Sequence, residues 1–251
     1  MKIICVIPAR LHSTRLNNKM LIHFNKKSLL QHTWEAANKV KIFDQVVIAV
    51  DDPILYNHVI TFTSNCILTS NKHISGTSRM LEVYSNFSKK NIFFDLWINW
   101  QGDEPLISKN AIYDLVSNYN TNFDIATLRY KISNKSELFN PKNVKVVTDI
   151  NSKAMYFSRY PIPYVANLSD YNLMNYEFYK HIGIYMYTNK TLMFLKEIIK
   201  HSSYLEDCEK LEQLTFLYND IKIQAIKTSY PTCGVDTPED ITFYKKKLLL
   251  Y

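Results

Sequence analysis

Three cations, Arg10, Arg15 and Lys19, fall close together near the start of the chain, with the hydroxyls of Ser13 and Thr14 between them. They follow an unbroken apolar run, Ile3 to Ile7, which reads as a strand buried on both faces of a parallel sheet. Pro8 cannot donate to a sheet ladder, so the strand ends there. Open α/β sheets bind ligands just outside the carboxyl ends of their strands. A loop at that place which pools positive charge and N–H donors suits a polyphosphate. A basic surface turn is the plainer reading of the same residues.

Carboxylates supply the second half of the chemistry. Asp103 lies in the turn Gln101-Gly102-Asp103-Glu104-Pro105, after the apolar run Leu96 to Trp100. Asp236 follows Gly234 far along the chain and precedes a helical stretch. Mg²⁺ takes hard oxygen ligands, commonly one or two carboxylates plus substrate phosphates. The two aspartates could therefore share one ion. Alternatively, Asp103 shapes its turn and Asp236 caps the last helix.

Further polar groups lie in the C-terminal half. Arg159 follows a strand and could clamp a carboxylate with its fork, or sit as a surface arginine. Glu206, Glu209 and Gln213 recur at spacings of three and four, which predicts one face of a helix from Leu205 to Tyr218. A solvated face is the plain explanation. His181 and Tyr185 fall on one side of a strand, where packing is the default. There are only four glycines, Gly76, Gly102, Gly183 and Gly234. Such scarcity predicts that each stands at positive φ or under a close backbone approach.

The elements that must position these groups alternate in type. After the first strand come a helix over about 28–40, a strand at Gln45–Val50 and a helix over about 54–62. A short strand near Cys66–Leu68 leads to a helix capped by Thr77. Then come the strand at Leu96–Trp100 and a helix near 110–119. This rhythm implies a parallel sheet covered on both faces. Strands near 125–129, 144–148, 154–158 and 182–187 then follow with few long helices between them, which predicts a mixed or antiparallel extension. Helices near 190–201 and 205–218, a strand at 221–225 and a final helix from Pro238 close the chain.

At 251 residues the chain can bury a full core. No apolar run is long enough to cross a bilayer, and the start lacks a signal-peptide pattern. Cys5, Cys66, Cys208 and Cys233 are scattered without metal or redox spacing, so a reduced, cytoplasmic protein is expected. The net charge of +7 is spread rather than blocked, which argues against nucleic acid as the partner.

Taken together and in order, eight stretches carry a resemblance that runs nearly end to end. They are Ile7–Arg10 with Ser13–Leu16 and Lys19; Ser75–Thr77 with Arg79; Gln101–Pro105; Asn140-Pro141 with Val144–Val147; Tyr156–Arg159 with Ile162-Pro163; His181 with Gly183–Tyr185; Leu211–Leu214; and Gly234–Asp240. The chain resembles the 3-deoxy-manno-octulosonate (Kdo) cytidylyltransferases, of the nucleotide-diphospho-sugar transferase type. That resemblance implies a three-layer α/β/α, Rossmann-like fold with a mostly parallel mixed sheet and a small antiparallel extension. It implies one domain over 1–251, with a nucleotide part at about 1–120, a sugar-binding and dimerisation part at about 121–220, and a returning strand and helix at 221–251. The implied reaction is transfer of CMP from CTP to the anomeric hydroxyl of Kdo, with Mg²⁺, in a homodimer serving lipopolysaccharide synthesis.

By the same resemblance Arg10, Arg15 and Lys19 hold the triphosphate, and Ser13, Ser75 and Arg79 help hold the nucleotide. Lys19, Asp103 and Asp236 form the catalytic set, with the two aspartates on the metal. Arg159, His181, Tyr185, Glu209 and Gln213 line the sugar pocket, and Gln101 stands between the substrates. The chain departs from the family at Asn17-Asn18 (usually Pro-Gly), Ser78 (Glu), Lys180 (Arg), Met186 (Gly) and Thr215 (Arg). Asn tolerates the left-handed region, so the turn before Lys19 can persist. A related enzyme for another acidic sugar, or a nucleotide-binding relative without turnover, are the alternatives.

Overall fold

A computed structural model of the chain describes residues 1–13, 16–166 and 176–248, the side chain of Leu248 excepted. The chain forms two compact units, Met1–Ile112 with Thr232–Tyr251, and Tyr113–Pro231.

The first unit opens with β1 (Ile3–Ala9), buried at every position. A left-handed residue, Asn18 at φ 50°, turns the chain into a short 3₁₀ turn, Lys19–Leu21. Asparagine thus supplies the conformation that glycine would. A small hairpin, β2 (His23–Phe24) and β3 (Lys27–Ser28), leads into α1 (Leu29–Asn38), which is capped by Ser28. Next come β4 (Gln45–Val50), α2 (Pro53–Val59), β5 (Cys66–Leu68), α3 (Gly76–Lys89), β6 (Leu96–Trp100) and α4 (Lys109–Ser117). Strand β1 pairs in parallel with β4 on one side and β6 on the other, and β4 pairs in parallel with β5. Successive parallel strands joined through helices place the loops after β1, β4, β5 and β6 at one edge of the sheet.

Helix α3 begins two residues earlier than its expected cap implies. Ser75, not Thr77, is the cap: its hydroxyl accepts from Ser78 N–H, and Ser78 Oγ accepts from Ser75 N–H. This is a capping box with serine in the place of the usual acid. Thr77 is buried inside the first turn instead.

The second unit holds β7 (Ile125–Lys131), α5 (Lys135–Phe139), β8 (Lys145–Thr148), β9 (Ala154–Ser158), β10 (Tyr179–Thr188), α6 (Asn189–Ile198), α7 (Tyr204–Glu209), α8 (Gln213–Tyr218) and β11 (Ile223–Thr228). Strand β7 pairs antiparallel with β10 and parallel with β11. Strands β8 and β9 form an antiparallel extension on β10. Strand β11 stays with this unit, and only the segment from Thr232, with α9 (Pro238–Leu248), returns to the first.

The helix expected over 205–218 is two helices. Lys210 steps into the left-handed region at φ 55° and ends α7. Helix α7 buries none of its residues, whereas Leu211 and the first four residues of α8 are buried. One continuous helix could not present both faces correctly. Glu206 and Glu209 therefore lie on a different helix from Gln213, and the shared face read from their spacing does not exist.

No glycine of the described residues has positive φ. Close approach is the reason at three of them. A Cβ at Gly76 would lie 2.9 Å from Gln101 Nε2, one at Gly102 3.0 Å from Pro8 O, and one at Gly234 2.9 Å from Glu104 Oε1. Gly183 meets nothing within 4 Å, so neither reason applies there.

Candidate active site

In the first unit the loops after β1, β5 and β6 and the segment before α9 enclose a cleft of about 360 Å³. Its walls include Arg10, Ser13, Lys19, Ser75, Arg79, Gln101, Asp103 and Asp236. Every described residue expected to bind the nucleotide or metal is among them. Arg15 lies outside the described residues.

Lys19 is the centre of the cleft. It is 5% exposed, and its Nζ donates to Asp103 Oδ2 at 2.5 Å and to Asp236 Oδ1 at 2.7 Å. Burial pulls the ammonium pKa down, but the two carboxylates outweigh it, so the net shift is upward. One nitrogen touches both carboxylates, which places them within reach of a single cation.

Local structure explains how the Asp236 carboxylate comes to meet Lys19. Thr237 and Asp240 close the first turn of α9: the Asp240 carboxylate accepts from Thr237 N–H at 2.8 Å and from Asp236 N–H at 3.0 Å. The cap expected as the alternative role of Asp236 is thus taken by its neighbours. Val235 N–H donates to Asp103 O at 2.9 Å, which fastens the segment to the Asp103 turn. Thr232 holds Glu104 at 2.9 Å on the other side of Gly234.

Arg79 forms the opposite wall and is 3% exposed. Its guanidinium donates to Thr69 Oγ1 at 2.7 Å, Ser70 O at 3.2 Å and Asp51 Oδ2 at 3.3 Å. Burial lowers its pKa, Asp51 and Glu82 oppose that, and Arg10 adds to it. Arg10 and Arg79 therefore act on one another as like charges, a pairing that an anion relieves. Asp51 also accepts from Leu11 N–H at 2.9 Å, tying the cationic loop to Arg79. Gln101 donates to Asn99 Oδ1 at 3.3 Å and packs over Gly76.

Two groups were not picked out from the sequence, Asp51 behind the Arg79 wall and His73 in the lining itself. Asp51 reads in the sequence only as the end of a strand, although an acid at a strand's carboxyl end was a usable signal. His73 lines the cleft and is held at 2.5 Å by Glu82 of α3, a loop-to-helix contact that no spacing rule announces.

The remaining expected residues lie in the second unit, as two pairs and Gln213. Glu209 accepts from Ser158 Oγ at 2.6 Å and from Arg159 N–H at 2.9 Å, while Arg159 Nε donates back to Glu209 O at 2.8 Å. His181 packs against Phe157 and Tyr185, with ring centroids 5.0 and 5.3 Å away, and its Nε2 meets Thr127 Oγ1 at 2.9 Å. Burial takes the His181 pKa down to about 3, so the ring is neutral, and burial raises the Tyr185 hydroxyl well above its ordinary value. Gln213 is buried at the start of α8.

A family profile described as Cytidylyltransferase matches residues 4–223. The chain belongs to the cytidylyltransferase family. The 3-deoxy-manno-octulosonate cytidylyltransferase of Thermodesulfovibrio yellowstonii is 42% identical to it, over 99% of this chain and 98% of the relative. The 8-amino-3,8-dideoxy-manno-octulosonate cytidylyltransferase of Shewanella pealeana is 39% identical over 99% of each. The solved structure of CMP:2-keto-3-deoxy-manno-octonic acid synthetase, complexed with CTP, matches at a TM-score of 0.88 and 35% identity, over 100% of this chain and 99% of that one. The α/β fold with its mostly parallel mixed sheet and antiparallel extension is thus the fold of a cytidylyltransferase, as the motifs imply. Among the described residues of this cytidylyltransferase no helix is long and apolar enough to cross a membrane, and none of the four cysteines is in a disulfide.

Proposed function

We propose that this cytidylyltransferase activates Kdo, transferring CMP from CTP to the anomeric hydroxyl and releasing pyrophosphate. The observation that carries the reading is the meeting of Asp103 and Asp236 on Lys19, in a cleft walled by Arg10 and Arg79. The relatives named for the Kdo reaction supply the sugar.

The donor set fits Mg²⁺. Asp103 and Asp236, which now share the Lys19 ammonium, would hold the ion together with substrate phosphates, a donor set this ion commonly takes. Among the described residues there is no cluster of three or more acidic, His or Cys side chains that could hold a metal; a two-carboxylate site needs none. When bound, Mg²⁺ would neutralise charge gathering on the phosphates.

The chain's own groups do the rest. Arg10, Arg15 and Lys19 bind the triphosphate, and Ser13, Ser75 and Arg79 orient the nucleoside. The sugar oxygen forms a bond to the α-phosphorus as the bond to the bridging oxygen breaks, and its proton leaves. Alignment and preorganised charge supply most of the rate. Arg159 receives the carboxylate of the sugar acid, beside His181, Tyr185, Glu209 and Gln213, with Gln101 between the substrates. A cytoplasmic homodimer supplying lipopolysaccharide synthesis completes the reading.

Pyrophosphate release from CTP and Mg²⁺ with a panel of acidic sugars tests it. Kdo is expected to give the highest kcat/KM. Turnover restricted to the 8-amino sugar would move the chain to that group of relatives, and silence with every sugar would leave a binding protein.

A further inference from the structure

Lys145, the first residue of β8, is fully buried in the second unit, and the catalytic scheme gives it no role. Burying an ammonium is costly unless each of its N–H groups is answered. Here the partners are neutral carbonyls: Asn143 O at 2.6 Å, Asn140 O at 3.2 Å and Arg159 O. Two of these belong to one turn and the third to the arginine assigned to the sugar acid.

The arrangement fixes Arg159 on every side. Its carbonyl accepts from Lys145, and its N–H donates to the Glu209 carboxylate. Its guanidinium uses Nε on Glu209 O, Nη1 on Pro141 O at 3.1 Å and Nη2 on Lys210 O at 3.3 Å. Pro141 lies in the same turn that Lys145 gathers through Asn140 and Asn143. Of five guanidinium donors, two remain, one on each terminal nitrogen. A carboxylate accepts such a pair in bidentate fashion.

We propose that Lys145 is a positioning residue for the sugar-acid subsite, holding both the backbone of Arg159 and the turn that aims its guanidinium. This rests on the reading above that Arg159 receives the sugar carboxylate. The groups facing the ammonium are Arg159 and, from α7, Glu209. Its register partner on β10, Lys180, directs its own charge to Glu137 of α5. Burial brings the Lys145 pKa down to about 8, Glu209 opposing and Arg159 adding to the shift. Above that pH the neutral amine has two N–H groups for three carbonyls, and one bond of the clamp is lost.

The test measures KM for Kdo and for CTP separately, with thermal unfolding, for the native chain, Lys145→Gln and Arg159→Ala, on both sides of pH 8. Lys145→Gln is expected to raise KM for Kdo about tenfold, the worth of a lost charge-assisted bond, while leaving KM for CTP nearly unchanged. In the native chain kcat/KM for Kdo should fall above about pH 8 with no matching fall for CTP, and Lys145→Gln should lack that limb. A folded Lys145→Gln with native KM for Kdo and a native alkaline limb overturns the proposal, even where Arg159→Ala selectively weakens Kdo. Equal losses for both substrates in Arg159→Ala overturn the underlying assignment instead. If Lys145→Gln does not fold, the native pH comparison decides: parallel alkaline profiles for Kdo and CTP refute the clamp.

Discussion

Lys19 and Asp236 stand 217 positions apart in the chain, and their side chains are joined at 2.7 Å. The same ammonium reaches Asp103, so the first loop, the turn after β6 and the segment before α9 meet at one nitrogen. Three remote stretches of chain are thereby reduced to one charged centre.

Asp103→Ala removes half of that centre. Its far-UV spectrum is expected to match the native one, since the Asp103 carbonyl still accepts from Val235 N–H. Mg²⁺-dependent kcat should fall by about a thousandfold, as when a preorganised electrostatic group is deleted. Steady-state pyrophosphate release measures this, and near-native turnover would overturn the metal role proposed for Asp103.

Asp51→Ala leaves the Arg79 guanidinium without its carboxylate and Leu11 N–H without its acceptor. Stripping one partner from a buried ion pair costs on the order of 3 kcal/mol. Urea unfolding should show that loss, and KM for CTP should rise because the cationic loop is no longer tied to Arg79. Unchanged stability would mean the contact is incidental.

Gly234→Ala and Gly183→Ala form a contrast. The first places a Cβ 2.9 Å from the Glu104 carboxylate, the far end of a flexible side chain, which must swing aside and give up its bond from Thr232. A stability loss of about 1 kcal/mol is expected. The second meets nothing within 4 Å and should stay within about 0.5 kcal/mol of native. Denaturant midpoints distinguish them, and equal effects would contradict the packing.

His181 makes stability depend on acid. Its folded pKa of about 3 lies below the ordinary 6.5, so the unfolded chain binds the proton more readily. Stability therefore falls as pH drops from about 6.5 towards 3. His181→Gln keeps a side-chain polar group but does not titrate. Between pH 7 and pH 5 it is expected to lose about 1–2 kcal/mol less than the native chain, read from urea midpoints at both values. Identical losses would show that the ring is solvated.

The apolar run of β1 and the alternation of strands and helices up to β6 were legible because each is a local pattern of burial. The wall residues of the cleft were legible too, since loops after parallel strands collect at one edge whatever lies between them. The break at Lys210 was not. Spacing alone reports a helical face, but which face must be buried changes at Leu211, and only packing reveals that. Glycine scarcity pointed to special positions without giving the reason, because a close neighbour such as Glu104 over Gly234 comes from a distant part of the chain. The sequence by itself determined the long strands of the parallel sheet, the residue types gathered in the cleft and their family likeness. The tertiary structure alone decided that Thr237 and Asp240 cap α9, so that Asp236 turns to Lys19 and completes the centre.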